Sequence, residues 1–149
     1  MTVTKSNIED NEILTDITKK SKAYWGYSDE QMEKWSELLT ITKEYIETNN
    51  VYKLLVNNST VGYYSYFNLG ENVVKLDNLF VLPNYIRSGL GKLLMDDFID
   101  RIKRTETQKI VLDSEPNAEM FYEKFGFTKI GQIETAIKDR YLPIMERKL

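Results

Sequence analysis

The stretch "KLDNLFVLPNYIRSGLGKLL", residues 75–94, passes from a strand-like run through a proline and two glycines into a helical repeat. The spacing predicts a strand over 72–82, a loop opened by Pro83, and a helix starting at Gly89 and Gly91. Met95, Phe98, Ile99 and Ile102 share one face of that helix. Glycine costs roughly 1 kcal/mol relative to alanine inside a helix, so a pair of them at its start asks for a reason. One reading is a plain turn carrying two solvated cations, Arg87 and Lys92. The other is an anion site: a helix start offers unsatisfied N–H groups and partial positive charge, and glycine lets a phosphate or diphosphate reach them. Spacing excludes two phosphate loops. A dinucleotide fingerprint needs a third glycine at position 94, which is Leu; a Walker loop needs glycine at 86 and Ser or Thr at 93, where the chain has Ile86 and Leu93.

Working outward, "VYKLLV" (51–56), "TVGYYSYFNL" (60–69) and "NVVKLDNLFVL" (72–82) are strand-like runs separated by "NNS" and "GE", which predicts an antiparallel meander. A strand over 2–5 and a helix come first, with Asn7 as cap, a stripe of Ile13, Leu14, Ile17 and Ala23, and Gly26 at its end. "SDEQ" (28–31) has capping-box form and opens a second helix carrying Met32, Trp35, Leu38 and Leu39. "TKEYIETN" (42–49) reads as a third, short one. Downstream, "KIVLD" (109–113) suits a strand buried beside a parallel neighbour. A helix from about Pro116 to Phe125 follows, stopped by Gly126. "FTKIGQIE" (127–134) and "YLPIMER" (141–147) read as two last strands, and Pro143 predicts an edge or a bulge in the second.

The 149 residues suit one domain over 1–149, with no linker-like segment and no internal repeat. A net charge of −3 opposes binding to phosphate backbones, so no nucleic-acid partner is expected. Absence of cysteine removes a thiolate nucleophile, and absence of histidine removes the usual general base and the commonest metal ligand. With neither a signal-like leader nor an apolar run of about 18 residues, the expectation is a cytoplasmic protein without a membrane partner.

A second constellation lies in "SEPNAEMFYEKFGF", residues 114–127, where Ala118, Phe121, Tyr122 and Phe125 form one helical face that includes a phenol. Two readings stay open here as well. Tyr122 is a core residue with its hydroxyl at the rim, or it is a functional group; Asn117 is a cap, or it is a ligand contact.

Together these segments resemble the GNAT superfamily of acyl-CoA-dependent N-acetyltransferases. The family's phosphate loop reads Gln/Arg-x-x-Gly-x-Gly/Ala, here Ile86-Arg87-Ser88-Gly89-Leu90-Gly91, departing at Ile86. The resemblance implies an α/β (α+β) fold whose mixed central sheet has about six or seven strands, flanked by about four helices. An antiparallel meander leads into a parallel pair that splays. It further implies acetyl-CoA as co-substrate and no metal. The pyrophosphate would lie on Arg87, Ser88, Gly89, Leu90, Gly91 and Lys92, and the pantetheine arm along Leu79, Phe80 and Val81. Asn117 would bond the arm or a phosphate, Lys124 would lie near the ribose phosphate, and Tyr122 next to the sulfur.

Without cysteine, direct attack of an amine within a ternary complex is the simpler scheme. Tyr122 suits the general acid, since a phenol of pKa ~10 is protonated at neutral pH and close to a thiol near ~8.5. A backbone N–H of the splayed strand would hold the oxyanion. Asp77 is the candidate base, acting through water or by positioning the amine, because it shares a strand face with Leu79; the bland alternative is a solvated strand residue. The acceptor, a primary amine of a small molecule or peptide, would meet Trp25, Tyr27, Tyr64, Tyr66 and Arg140. "KAYWGYSDE" (22–30) either walls that pocket or forms a hydrophobic junction between two helices. The resemblance would also permit a homodimer through the C-terminal strands. A CoA-binding sensor or assembly domain with the same fold and little turnover is the alternative function.

Overall fold

The computed structural model describes residues 1–149. Two tight turns shape the early strands. Asn57 and Asn58 have φ of 50° and 66°, and Glu71 and Asn72 have 53° and 64°, the left-handed values that two-residue hairpin loops require. They join β2 (Asn50–Val56) to β3 (Ser59–Gly70) and β3 to β4 (Val73–Val81). With β1 (Thr2–Lys5), β5 (Lys109–Asp113), β6 (Thr128–Glu134) and β7 (Tyr141–Lys148), they form one seven-stranded sheet of order β1-β2-β3-β4-β5-β7-β6. The expected mixed α/β sheet is present. By backbone contacts the chain divides into two units, Met1–Tyr66 with Asn78–Phe98, and Phe67–Asp77 with Ile99–Leu149.

In the first unit, β1 and β2 pair antiparallel, as do β2 and β3, whose register shifts between Leu54 and Leu55. Alternation along β3 divides its tyrosines between two faces. Tyr63 joins a cluster of Leu14 and Ile17 from α1 (Asn11–Ala23), Ile46 from α3 (Lys43–Thr48), and Ile41 and Val51. Its hydroxyl shares a buried hydrogen bond with Thr18. Tyr64 and Tyr66 pack instead on Phe98 of α4 (Leu90–Lys103), ring centroids 5.3 Å away in both cases. Complete burial of an aliphatic or aromatic side chain contributes ~1.5–3 kcal/mol, so these two clusters are where the unit gains most.

Asn7 caps the chain as expected, but through a single 3-10 turn, Ile8–Asp10, that precedes α1. Leu14 and Ile17 are buried, while Ile13 and Ala23 of the expected stripe are exposed. The second helix, α2 (Asp29–Lys34), starts at Ser28 as expected and stops well short of Leu39. A stripe supports a short helix only where something covers it. Leu38 is 81% exposed, and Trp35 turns its ring onto Tyr27, 4.8 Å away.

In the second unit β5 lies between a parallel and an antiparallel neighbour, pairing Val73↔Lys109 with β4 and Lys109↔Lys148 with β7. Its neighbour β7 also pairs with β6, so the expected edge position of the Pro143 strand is not what the chain adopts. The proline is accommodated for a local reason. Its carbonyl accepts from Ser114 N–H at 2.7 Å, just past the end of β5. In an antiparallel ladder N and O of one residue point the same way, so the missing N–H faces a place where no β5 residue needs it. The outer strand is β6, which carries the register shift, between Lys129 and Gly131. The C-terminal strand left at the sheet edge is thus β6 rather than β7. The helix expected over 116–125 is a 3-10 turn, Pro116–Ala118, running into α5 (Glu119–Glu123). No helix of the chain is long and apolar enough to cross a membrane.

Candidate active site

The parallel ladder ends at Lys75↔Val111, although β4 continues to Val81. Lys75 Nζ then reaches Asp113 at 2.8 Å, an ion pair where hydrogen-bonded pairing has stopped. Beyond it β4 is held on its other side. Asn78 Nδ2 donates to Ser65 Oγ at 2.9 Å and to Tyr45 Oη at 3.2 Å, and Leu82 N–H donates to Val61 O at 2.8 Å. A Cβ on Gly62 would stand 2.8 Å from Phe80 O, so only glycine lets β3 approach here. Phe80 packs on Tyr63, and Val81 O accepts from Ser21 Oγ at 2.8 Å. Asn78, Phe80, Val81 and Leu82, which flank Leu79, are thus held by contacts made away from the end of the ladder.

From Val81 the chain makes one 3-10 turn, Pro83–Tyr85, and reaches the double glycine. Gly89 has φ +84° with open space where a Cβ would stand, so conformation rather than crowding demands glycine. Arg87 also takes a left-handed φ, 67°, uncommon for a residue with a side chain. Ser88 Oγ donates to Tyr85 O and tightens the loop. The helix closes its first backbone bond from Leu93 N–H to Gly89 O, 3.1 Å, so the N–H groups of Leu90, Gly91 and Lys92 lie in the turn that has no helical acceptor. Lys92 Nζ lies 2.7 Å from Asp96 on the exposed side of α4. The chemistry of this loop is an array of main-chain donors at a helix start, fit for a diphosphate.

Residues 114–127 are built differently. Ser114 Oγ donates to Glu115 O, and Ala118 N–H closes the 3-10 turn on that same carbonyl at 2.8 Å. Asn117 is exposed and its Nδ2 donates to Glu115 Oε1 at 2.8 Å. Tyr122 is partly buried, its ring edge-on to Phe121 and Phe127 at 5.3 and 5.9 Å. Burial, and secondarily the Glu115 carboxylate, hold its phenol well above the ordinary tyrosine value. The sequence-based expectation used the ordinary value; the surroundings of Tyr122 correct it upward. Lys124 is exposed at the end of α5. Gly126 stops the chain with φ +84°, and Arg147 Nη1 ties down Phe125 O at 2.8 Å.

The remaining expected residues are scattered. Asp77 is exposed on β4, two positions past the last ladder pair. Trp25 is exposed and meets Tyr24 edge-on, whereas Tyr27 packs on Trp35 with Lys22 over both rings. The segment is therefore a junction at Tyr27 and an open aromatic pair at Tyr24 and Trp25. Tyr64 and Tyr66, expected at the acceptor pocket, belong to the core. Tyr64 is fully buried with its hydroxyl on Asp97 at 2.7 Å, and Tyr66 is stacked with Tyr52 and Tyr64. Strand alternation sends them to the α4 face. Arg140 is not open for an acceptor carboxylate in this state: its Nη2 lies 2.9 Å from Glu115 Oε2, both side chains 12% exposed. Sequence reading passed over Glu115. Its position before Pro-Asn marks a turn, but nothing local announces a partner 25 residues away.

Comparison with known proteins gives the class. Residues 25–140 match the acetyltransferase (GNAT) domain model, and the chain belongs to the GNAT superfamily. It is 36% identical over 58 residues to glucosamine 6-phosphate N-acetyltransferase of Trypanosoma brucei brucei, 39% of this chain and 40% of that one. Over 96 residues it is 33% identical to the ribosomal protein bS18-alanine N-acetyltransferase of Haemophilus influenzae, 61% of this chain and 60% of the relative. The matched stretches thus span about two-fifths and three-fifths of these curated relatives. Among solved structures, the PaiA N-acetyltransferase of Thermoplasma acidophilum in complex with coenzyme A superposes with TM-score 0.81 at 22% identity, covering 99% of this chain and 98% of that one. The Escherichia coli ribosomal-protein-S18-alanine N-acetyltransferase gives 0.74 at 19% identity over 99% and 92%. At these identities the structures establish a shared fold.

Proposed function

We propose that the chain acts as a single domain that transfers an acetyl group from acetyl-CoA directly to a primary amine of a small molecule or peptide. The observation that carries this reading is a strand that leaves its parallel partner at Lys75 and runs on to Val81 and then to a glycine-led helix. Exposed main-chain groups of such a strand suit the amides of a pantetheine arm, and the helix start suits a diphosphate. Membership in the superfamily supports the same assignment.

In this reading Leu79, Phe80 and Val81 lend backbone groups to the arm, and one of their N–H groups holds the oxyanion. Arg87 to Lys92 receive the diphosphate, with Lys124 and Asn117 contributing to the remainder of the nucleotide and arm. Asp77 takes the ammonium proton through water or orients the amine. Tyr122 gives its proton to the departing thiolate. From an ordinary phenol near 10 to a thiol near 8.5 that transfer is uphill by about 2 kcal/mol, and the raised Tyr122 makes it steeper. The step therefore depends on how the surroundings of Tyr122 treat its negative charge.

A thermal-shift titration with acetyl-CoA, CoA and ATP tests the reading, since a ligand specific for the native state raises its melting temperature. The expected result is a rise with both CoA species and none with ATP, abolished in Gly89→Val. No rise with acetyl-CoA at any concentration would leave the glycines as a turn and remove the enzyme assignment.

A further inference from the structure

A hydroxyl inside a helix commonly bonds back to the carbonyl four residues earlier. In α1, Thr15 and Thr18 do so, onto Asn11 O at 2.8 Å and Leu14 O at 2.7 Å. Ser21, the next hydroxyl along the same helix and a buried one, bonds elsewhere. Its Oγ donates to Val81 O at 2.8 Å, across a sequence separation of 60. That carbonyl belongs to the part of β4 that has run past its ladder with β5.

The direction of the main chain at Val81 follows from its neighbours. In a trans peptide the C=O of one residue and the N–H of the next point opposite ways, and the chain has no cis peptide bond. Phe80 O lies 2.8 Å from where a Cβ on Gly62 would stand, so it faces β3. Leu82 N–H donates to Val61 O, also on β3, at 2.8 Å. Val81 N–H shares a peptide with Phe80 O, and Val81 O shares one with Leu82 N–H. Both groups of Val81 therefore point away from β3. Since β4 lies between β3 and β5 in the sheet, that is the side on which its ladder ends at Lys75. Ser21 occupies the carbonyl, and the N–H is what Val81 offers on this side. A donor to an oxyanion is effective when its direction is fixed before the reaction.

We propose that Ser21 is a positioning residue for acetyl transfer: by anchoring Val81 O it keeps Val81 N–H turned to the side of β4 away from β3, as the donor to the thioester carbonyl of acetyl-CoA. This rests on the reading of β4 beyond Lys75 as the acyl site, and it selects one donor among Leu79, Phe80 and Val81.

The test labels valine with the heavy nitrogen isotope and follows the amide resonance lost in Val81→Ile. Acetyl-CoA should move that amide proton downfield relative to CoA, which has no acyl carbonyl, and Ser21→Ala should shrink the difference. This readout needs no acceptor. With acetyl-CoA and either spermidine or an alanine-terminated peptide, Ser21→Ala should lower kcat roughly tenfold with KM for acetyl-CoA unchanged. Ser21→Thr keeps the hydroxyl and should recover most of that loss. Ser21→Cys, similar in size but a weak donor, carries the alanine expectation should that variant fail to fold. Equal Val81 shifts in wild type and Ser21→Ala, or a loss confined to KM or to melting temperature, would overturn the role of Ser21. A Val81 amide placed alike by CoA and acetyl-CoA, in a protein that both ligands stabilise, would overturn it through the donor. Binding of neither ligand would instead remove the acyl-site reading itself.

Discussion

In the proposed function residues 86–92 would act through main-chain N–H donors, whereas those at 114–126 would act through side chains. The first region is specified by conformation. Gly89 needs its positive φ, and the side chains of Arg87, Ser88 and Lys92 point into solvent-exposed surroundings. The second is specified by side-chain contacts, Asn117 and Arg140 to Glu115, and by the burial of Tyr122 against Phe121 and Phe127. A backbone site tolerates side-chain change and fails when the backbone is forced; an electrostatic site does the reverse.

The largest expected effect lies in the second region. Tyr122→Phe removes the proton and keeps the ring, so kcat should fall by roughly 100-fold with KM for acetyl-CoA unchanged; a rate within twofold of wild type would return Tyr122 to the core. Next is Gly89→Val, where a β-branched side chain is forced to φ +84°. Stability should drop by ~1–2 kcal/mol, and acetyl-CoA affinity measured by calorimetry should weaken by roughly tenfold or more. Unchanged affinity would mean that the loop does not use its backbone.

The pH dependence of stability should separate the regions further. A phenol raised in the folded state holds its proton more tightly there than in the unfolded chain. Its contribution is therefore complete below the unfolded value near 10 and is lost as pH climbs above it. Denaturant unfolding between pH 9 and 11.5 should show a steeper alkaline loss in wild type than in Tyr122→Phe; parallel curves would contradict the assigned surroundings. Smallest of all should be Lys92→Ala, which breaks an exposed pair with Asp96. Stability should change by less than ~0.5 kcal/mol and affinity by less than about threefold. A large loss of affinity would make the loop a side-chain site after all.

The same contrast governs what the sequence made legible. Strands β2 to β4 and the helix at Leu90 could be read because their apolar periods and their turn residues, Asn57, Asn58 and the double glycine, act locally. The phosphate-loop candidate was visible for the same reason. The length of α2 was not, since Trp35 bonds its fate to Tyr27 and Lys22 rather than to the next helical turn. Nor was the inner position of β7, because Pro143 signals a missing N–H without saying which neighbour will meet it. Tyr64 and Tyr66 alternate with Tyr63, so the strand pattern placed them on one face but not which helix would cover it. Glu115 and Arg140 are ordinary surface residue types until the fold brings them together.

The inner position of β7 also has a consequence for the order of assembly. Strands β5 and β6 share no ladder with each other; each is completed by β7, the last strand to be synthesised. As the chain emerges, residues 1–66 and 78–98 are all present some forty positions before β7 is available, about two to eight seconds at ordinary rates of elongation. Once β5 has been made, its edge of unpaired N–H and C=O groups stays open until β7 arrives, so the second unit waits on residues 141–148.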